Sequence, residues 1–388
     1  MRTVYLDYNA TTPLDPAVRE AMLPALGAVY GNPSSVHHVG QQARRLLDAA
    51  RESVADVFGC KPSEMLFTSG ATESVSLAIL GTARALRDKG RHLIASQVEH
   101  HAVLHACEYL VEKEGFALTL LPVDSAGLVA VDSVAAALRP DTVLVSVMAA
   151  NNEVGTVQPV AAIGELCASK GVVFHTDAAH WLGKMPFSDV HAFRADLVSF
   201  CAHKFHGPKG AGGLYVRSPL QLDPILHGGA HEYERRAGTE NLPAILGLAT
   251  AVEMFVRRPV FDATDLAALA APLIELVDAL PGVTFRGHRT ARLPNTVAFS
   301  VVGADSIALL AGLDLEGICA SSGSACASGS ITPSHVLLAL GAGAAESNAL
   351  VRFSLGRETS VEDMGAVHKV LPAIIARTQL ANKDGSSL

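Results

Sequence analysis

The sequence predicts an α/β fold with a mostly parallel sheet in a large domain, followed by a smaller α+β domain. Short apolar runs alternate with longer helical patterns through most of the 388 residues, which is typical of a parallel sheet covered by helices. This alternation breaks off near Arg257-Arg258-Pro259. We therefore place a large domain at residues 13–258 and a small domain at residues 259–388, and we expect residues 1–12 to pack on the small domain.

The predicted elements follow one another in a regular order. An apolar run that ends at Phe67 leads into a long helix, which has apolar residues at Val75 and Leu77. The strands that follow are short and apolar, at residues 91–96, 118–121, 142–148, 172–176, 196–200 and 213–216. In the small domain the pattern predicts helices at residues 265–280 and 306–315 and strands at residues 296–302 and 351–355.

Composition limits the classes of function. A hydrophobic content of 49% can supply a large core, and the net charge of −8 argues against a surface for nucleic acids or anionic membranes. No apolar run approaches the ~20 residues that span a bilayer. Asp7 and Asn9 stand where a signal peptide needs an unbroken apolar region. The six cysteines show no paired spacing, which favours free thiols, so we expect a cytoplasmic protein.

One lysine directly follows a predicted buried strand. Lys204 lies in the stretch Ala-His-Lys-Phe-His-Gly-Pro-Lys-Gly at residues 202–210, and Asp177 directly follows another predicted strand. Parallel strands present their carboxyl ends at one edge of the sheet, so Lys204 and Asp177 can face one ligand. Pyridoxal phosphate needs such a pair, a lysine for the Schiff base and a carboxylate that keeps the pyridine nitrogen protonated. Taken singly, a solvated lysine and a helix-capping aspartate are the ordinary interpretations.

Further polar residues stand at the ends of other predicted strands. Ser69-Gly70-Ala71-Thr72 opens the first long helix, whose free N–H groups can hold a phosphate, although an ordinary capped helix has the same pattern. His100 follows the strand at 91–96, where an imidazole can stack on a pyridine ring and move protons. Asn152 follows the strand at 142–148, where its amide can bond a ring hydroxyl or simply form a turn.

Two histidines have the spacing of a metal-binding pair. His101 and His105 are four residues apart, and the chain has 16 histidines. A zinc site needs further ligands, and no cysteine or glutamate stands at a suitable spacing. We therefore predict no metal site.

A run of small residues at 320–330 has Cys326 near its centre. Small residues of weak structural propensity favour a mobile segment, so this thiol can act as a travelling nucleophile. A disordered loop with an incidental cysteine is the alternative interpretation. Further along the chain, Arg352 can hold a substrate carboxylate through two parallel hydrogen bonds.

From Tyr5 to the Arg352 segment, the chain resembles the cysteine desulfurases of the NifS/IscS type, within the class V aminotransferase group of pyridoxal-phosphate enzymes. The resemblance rests on residues 5–12 (Tyr-Leu-Asp-Tyr-Asn-Ala-Thr-Thr), 202–210, 235–241 and 320–330. It implies the pyridoxal-phosphate fold type I, a homodimer, and conversion of L-cysteine to L-alanine. The sulfur then passes as a persulfide to an iron–sulfur scaffold or another acceptor protein. The segment with Cys326 resembles the long-loop group.

The resemblance also assigns roles to residues, which we state as expectations. The catalytic residues are Lys204, which forms the Schiff base, His100, which stacks on the ring, and Cys326, which forms the persulfide. Asn32 and Arg352 bind the substrate carboxylate, and Asn152 contacts the substrate or the ring hydroxyl. The cofactor-binding residues are Ala71, Thr72, Asn152, Asp177, His180, Cys201, His203, Lys204 and, from the neighbouring subunit, Thr239.

Two residues depart from the family pattern. His180 replaces a glutamine three residues after the aspartate, and Cys201 replaces a serine before the Ala-His-Lys motif. An imidazole near the ring oxygen changes the acidity of the Schiff base, and a thiol is a weaker phosphate donor than a hydroxyl. Two alternatives stay open: a selenocysteine lyase or another class V aminotransferase-like enzyme, and a catalytically silent docking subunit with the same fold.

Overall fold

The computed structural model of the chain describes residues 2–323 and 333–385. Its main feature is a seven-stranded sheet in the order β2-β8-β7-β6-β5-β3-β4. Its strands are β2 (Met65–Thr68), β3 (His92–Ser96), β4 (Ala117–Leu121), β5 (Thr142–Ser146), β6 (Val173–Asp177), β7 (Leu197–Cys201) and β8 (Gly212–Val216). Strands β4, β3, β5, β6 and β7 are parallel, and β8 runs antiparallel to both β7 and β2. The predicted α/β fold with a mostly parallel sheet is confirmed.

Helices cover both faces of this sheet. They are α1 (Pro16–Leu26), α2 (His38–Phe58), α3 (Ala71–Ser76), α4 (Thr82–Ala85), α5 (His101–Glu114), α6 (Val131–Ala137), α7 (Val160–Lys170) and α8 (Leu242–Phe255). A π-helical turn, Leu77–Gly81, joins α3 to α4. Neighbouring strand residues alternate between two hydrophobic clusters: Ile94 and Val145 pack with α2, α7 and α8, whereas Leu93 and Leu144 pack with α3 and α5. The alternation explains why these strands are apolar throughout.

A second, antiparallel sheet follows. It has β10 (Thr296–Val301) between β9 (Val283–Arg286) and β12 (Leu350–Ser354). The helices of this part are α9 (Ala263–Ala279), α10 (Ser306–Leu315), α11 (His335–Ala339), α12 (Ala344–Ser347) and α13 (Val361–Gly385). Strand β1 (Val4–Tyr5) pairs with β11 (Ile318–Cys319), and Leu6 joins the core of this second sheet. The division of the chain into domains at residue 258 stays a prediction.

The predicted strands and helices named above differ from the observed ones by at most two residues at each end. The sequence pattern missed three short strands, β1, β9 and β11. Strand β9 is half-exposed at the edge of its sheet, and β1 and β11 are two residues long, so none gives a clear apolar period. Within the described residues, none of the helices has the length and apolar character that crossing a membrane requires.

Candidate active site

Lys204 lies at the carboxyl end of strand β7, on the helical turn Ala202–Lys204. Its Nζ donates hydrogen bonds to the carbonyl oxygens of Asn9 at 2.6 Å and Ala10 at 2.9 Å. Burial lowers the pKa of Lys204, and the nearby Arg352 cation lowers it further. A buried amine with a lowered pKa is suited to nucleophilic and proton-transfer chemistry.

Asp177 ends the neighbouring parallel strand β6, in register with Ser199 of β7. Its side chain is buried, and Oδ1 accepts a hydrogen bond from the Ala179 N–H at 2.9 Å. Burial raises the pKa of Asp177 to about 6, and the Lys204 cation opposes that rise. The sheet topology therefore brings Lys204 and Asp177 to one edge, which is the arrangement expected from the sequence.

Both residues line a cavity of about 440 Å³ at this edge of the sheet. The site residues expected from the sequence that line the same cavity are Ala71, Thr72, His100, Asn152, Asp177, His180, Cys201, His203, Lys204 and Arg352. A cavity of this size matches the volume of small-molecule sites in proteins.

One end of the cavity is formed by the start of α3. Ser69, Gly70 and the first residues of α3 all line it. The turn packs closely on strand β8, because a Cβ atom on Gly212 would lie 2.6 Å from the Gly70 carbonyl carbon. Burial raises the pKa of Cys201 to about 11, and the nearby Lys204 cation and Ala71 N–H oppose that rise. This end of the cavity offers backbone N–H groups and a neutral thiol, which suits an anionic group.

Two histidines near the lysine are neutral at neutral pH. Burial and the Lys204 cation lower the pKa of His100 to about 4 and that of His203 to about 4. His100 caps α5, and its Nδ1 accepts a hydrogen bond from the Ala102 N–H at 3.1 Å. The proton of the neutral His100 ring therefore lies on Nε2.

Arg352 lies in the middle of strand β12 and reaches the cavity from the second sheet. Its Nη2 pairs with Asp7 Oδ1 at 2.7 Å, and its Nη1 donates to the carbonyl oxygens of Asn152 and Gly323 at 2.9 and 2.8 Å. The buried Nε has no hydrogen-bond partner among the described residues. A buried donor without a partner is costly, and a ligand acceptor would satisfy it.

Two expected site residues, Asn32 and Thr239, stand apart from this cavity, and a third is not among the described residues. Asn32 is exposed, and its Oδ1 accepts a hydrogen bond from the Ser34 N–H. Thr239 is also exposed, in the segment whose Arg236 pairs with Glu73 at the cavity wall at 2.7 Å. Cys326 lies outside the described residues. The roles of all three stay predictions.

The site also contains residues to which the sequence analysis gave no role. Asp7 holds Arg352, the Asn9 carbonyl holds Lys204, and Lys184 donates to the Asn9 side chain at 2.7 Å. The motif at residues 5–12 was the available signal for Asp7 and Asn9. Lys184 gave no signal, because nothing in its local sequence shows that its amine is buried beside the cavity.

The histidine pair at 101 and 105 lies outside the cavity, next to His335. The ring centroids of His101 and His335 are 4.5 Å apart, and those of His101 and His105 are 5.1 Å apart. Over residues 2–323 and 333–385, no group of three or more His, Cys, Asp or Glu side chains is arranged to hold a metal ion.

The comparisons with known proteins agree with one another. The family model described as "Aminotransferase class-V" matches residues 4–367. A "Cysteine desulfurase IscS" from Methanosarcina thermophila is 45% identical over 97% of this chain and 93% of its own length. A mouse "Cysteine desulfurase" is 41% identical over 94% of this chain and 79% of its own length.

Solved structures agree with these sequence relatives. A "NifS-like protein" superposes with a TM-score of 0.89 at 36% identity, covering 97% of this chain and all of that one. The structure "SspA in complex with cysteine" has a TM-score of 0.80 at 36% identity, covering 92% and 100% of the two chains. The chain therefore belongs to the class V aminotransferase family and has the fold of its NifS-like members.

Proposed function

We propose that this protein is a cysteine desulfurase that converts L-cysteine to L-alanine and transfers the sulfur to Cys326. The observation that carries this proposal is a single cavity lined by a half-buried lysine, a buried aspartate and an arginine whose Nε has no partner among the described residues. Relatives named cysteine desulfurase, at 41–45% identity over most of the chain, support the same reaction.

The cavity fits pyridoxal phosphate, the cofactor of this family. Its polar groups suit three parts of the cofactor. The Lys204 amine suits the aldehyde, the Asp177 carboxylate suits the pyridine nitrogen, and the backbone N–H groups at the start of α3 suit the phosphate. Pyridoxal phosphate, when bound, would withdraw electrons from the substrate and stabilise negative charge at its Cα. In this proposal Thr72 and His203 hold the phosphate, Asp177 pairs with the pyridine nitrogen, and His100 stacks on the ring.

Arg352 would bind the substrate carboxylate. Its Nη2 pairs with Asp7 and its Nη1 with two carbonyls, so the free Nε is the donor left for a ligand. Nε and the adjacent edge of Nη2 form the side of the guanidinium that accepts a carboxylate with two parallel bonds. Asn152 lies beside it at the cavity wall.

The desulfuration step balances without an external oxidant or reductant. Lys204 takes the proton from the substrate Cα. The Cys326 thiolate attacks the substrate sulfur, so that an S–S bond forms and the Cβ–S bond breaks with its electron pair left on Cβ. Cβ takes the proton that Cys326 released, and the Cα proton returns. The products, L-alanine and a Cys326 persulfide, contain all atoms of the substrate and of the enzyme thiol.

The described residues next to the Cys326 segment lie close to the cavity. Gly323 accepts a hydrogen bond from Arg352, and Ser334 donates to Glu153 at 2.6 Å. Cys326 is three residues after Gly323, and three residues can span at most roughly 10 Å, which supports the proposed role of Cys326. Burial raises the pKa of each of the five other cysteines, which disfavours their thiolates as competing nucleophiles.

We propose a homodimer in which Thr239 of one subunit completes the phosphate site of the other. Exposed apolar side chains support a covered surface near Asn32, because Tyr30 is 79% exposed and Val36 is 91% exposed. We also propose a cytoplasmic location, since the five described cysteines are free thiols. The sulfur acceptor is proposed to be an iron–sulfur scaffold or another acceptor protein.

The reaction is tested by incubating the cofactor-loaded protein with L-cysteine, without any 2-oxo acid, and measuring alanine and protein mass. We expect alanine together with one added sulfur atom on the Cys326 peptide. Cys326→Ala should bind cysteine but lose alanine formation. Alanine formation at the wild-type rate in this variant would overturn the assignment of Cys326, and a 2-oxo acid requirement would indicate transamination. A much higher rate with L-selenocysteine than with L-cysteine would favour a selenocysteine lyase.

The shared site is tested by mixing two inactive variants. Lys204→Ala removes the amine from the site of the subunit that carries the change. Thr239→Ala instead removes a hydroxyl from the phosphate site of the partner subunit. A mixed dimer would contain one intact site, so we expect mixing to restore part of the wild-type activity. Failure to restore activity, in a sample shown by mass to contain mixed dimers, would contradict the proposed role of Thr239.

A further inference from the structure

A second lysine is buried beside the cavity and has no role in the reaction proposed above. Lys184 is 2% exposed and lies at the end of the tight turn that follows strand β6. Gly183 has a φ of +75°, and a Cβ atom there would lie 2.4 Å from the Phe205 Cβ. The turn is therefore packed directly against the residue that follows Lys204, which fixes the position of the Lys184 backbone.

The hydrogen bonds of Asn9 establish the direction of one Lys184 contact. The Asn9 Nδ2 donates to the Asn152 carbonyl at 3.2 Å, and a carbonyl can only accept. The other amide atom, Oδ1, therefore faces Lys184 and accepts from its Nζ at 2.7 Å. Asn295 donates to the same oxygen at 3.1 Å. Lys184 is thus held as a donor at the point where the N-terminal segment meets the cavity.

The second contact of Lys184 is with His180. The Nζ lies 3.3 Å from the His180 Nδ1, four residues earlier in the same turn. Burial lowers the pKa of Lys184, and the nearby Lys204 and Arg352 cations lower it further, but its ammonium and its amine form both have an N–H besides the one given to Asn9. This N–H can be donated to Nδ1, which is then the unprotonated nitrogen of the ring. The ring proton then lies on Nε2, which has no hydrogen-bond partner among the described residues. His180 lines the cavity, so this N–H is available to a ligand.

We propose that Lys184 is a positioning residue that keeps the His180 ring neutral, with its proton on Nε2, so that His180 presents an N–H donor to the cavity. This inference deepens the proposed function, on which it rests for the identity of the ligand. The acceptor in the cavity is an anionic or hydroxyl oxygen on the ring of the bound cofactor. The neutral donor at this position takes the place of the glutamine that the family usually has.

Charges around His180 support a neutral ring. Burial lowers the pKa of His180, and the neighbouring basic groups of Lys184, Lys204 and Arg352 lower it further. The His100 ring is a further neighbour of the His180 ring. The site contains two carboxylates: Asp177 lies in the cavity wall, and Asp7 is paired with Arg352. Neither carboxylate has a hydrogen bond to the His180 ring among the described residues. The ring therefore has no anionic partner that would stabilise its charged form.

The protonation state can be measured directly by nitrogen NMR of protein labelled with ¹⁵N at both ring nitrogens of histidine. His180→Gln identifies the His180 signals by their loss. In the wild type we expect a neutral ring protonated on Nε2 from pH 5.5 to 8. In Lys184→Met we expect the pKa of His180 to rise by about one unit or more, or its proton to divide between both nitrogens. Lys184→Arg should retain the wild-type state, because it keeps N–H donors at the end of a long side chain.

These outcomes separate the inference from simple loss of structure. Thermal unfolding and the signals of the other histidines report whether Lys184→Met is folded. A wild-type His180 ring protonated on Nδ1, or titrating near its ordinary pKa, would overturn the proposal. So would an unchanged His180 signal in a folded Lys184→Met. None of these readouts depends on desulfurase activity. The proposed function can therefore fail while the inference about Lys184 holds, and the reverse.

The cofactor-loaded protein supplies a second readout. The absorbance of bound pyridoxal phosphate is titrated with pH in the single variants Lys184→Met and His180→Gln and in the double variant. If Lys184 acts through His180, Lys184→Met shifts the titration midpoint in the wild-type background and has no further effect in the His180→Gln background. Equal shifts in both backgrounds would mean that Lys184 acts on the cofactor independently, and would overturn the positioning role.

Discussion

The two sides of the cavity are assembled differently. The side with Lys204, Asp177 and Cys201 comes from the ends of two neighbouring parallel strands of one sheet. The side with Arg352, Asp7 and Asn152 joins the second sheet, the N-terminal segment and the loop after β5. Arg352 and Asp7, which form an ion pair, are 345 residues apart in the chain.

This difference indicates which part of the site tolerates change. Residues on adjacent strand ends are held by the backbone hydrogen bonds of the sheet, so replacing one side chain leaves the others in place. Arg352 is itself a connector, because it bonds Asp7, Asn152 and Gly323 at once. We therefore expect changes on the strand-end side to act mainly on chemistry, and changes at Arg352 to act on binding and stability together.

The largest effect is expected for Lys204→Ala. The amine is the only group proposed both to bond the cofactor and to move the Cα proton, so alanine formation should fall by at least about a thousandfold. The cofactor-free variant should also unfold at a somewhat lower temperature than the wild type but stay folded, because it loses the hydrogen bonds from Nζ to the Asn9 and Ala10 carbonyls. Loss of the folded state would show that the strand-end side of the cavity needs the Lys204 side chain for its stability.

Arg352→Lys is expected to come next. A lysine keeps the charge but cannot make two parallel bonds, so KM for L-cysteine should rise roughly a hundredfold while bound cofactor stays constant. The matched variant Asp7→Asn leaves the guanidinium and removes its ion-pair partner, and should raise KM by about three- to tenfold. Equal KM values for wild type and Arg352→Lys would remove Arg352 from the substrate site.

Glu99→Gln tests a buried carboxyl behind the strand-end side. Glu99 Oε1 accepts from Ser96 at 2.5 Å and from the Met148 N–H at 2.9 Å, and burial raises its pKa to about 8. Unfolded glutamate ionises near pH 4.3, so between about 4.3 and 8 the unfolded chain releases a proton that the folded chain keeps. The free energy of unfolding of the wild type should therefore fall across this pH window.

Glutamine resembles the protonated acid and removes that dependence. At pH 8 the variant should be more stable than the wild type by roughly 4 kcal/mol, and at pH 4 this gain should be absent. Denaturant unfolding at both pH values measures the difference. The same gain at both pH values would assign it to packing instead of ionisation.

Cys201→Ser is expected to have the smallest effect. The hydroxyl is a stronger donor than the thiol and occupies nearly the same volume, so the Kd for pyridoxal phosphate should fall by about three- to tenfold. Cys201→Ala, which has no donor, should raise the Kd. If serine and alanine change the Kd equally, the residue fills space at the phosphate end and donates nothing.

The sequence alone determined the architecture and one side of the site. Apolar runs of strand length, separated by helical periods, are local signals, and a parallel sheet aligns their carboxyl ends. Lys204, Asp177 and His100 could therefore be expected at one edge from their positions after those runs. The same reasoning could not give the relation of Arg352 to Asp7.

Only the tertiary structure decided the contacts made across the chain. The Arg352–Asp7 pair, the Asn9 carbonyl beside Lys204 and the Lys184–Asn9 contact depend on how the N-terminal segment lies against the rest of the chain. Hydrogen bonds of this kind act over about 3 Å and follow no sequence period. They are set by the packing of distant segments, and packing is known only once the whole chain is folded.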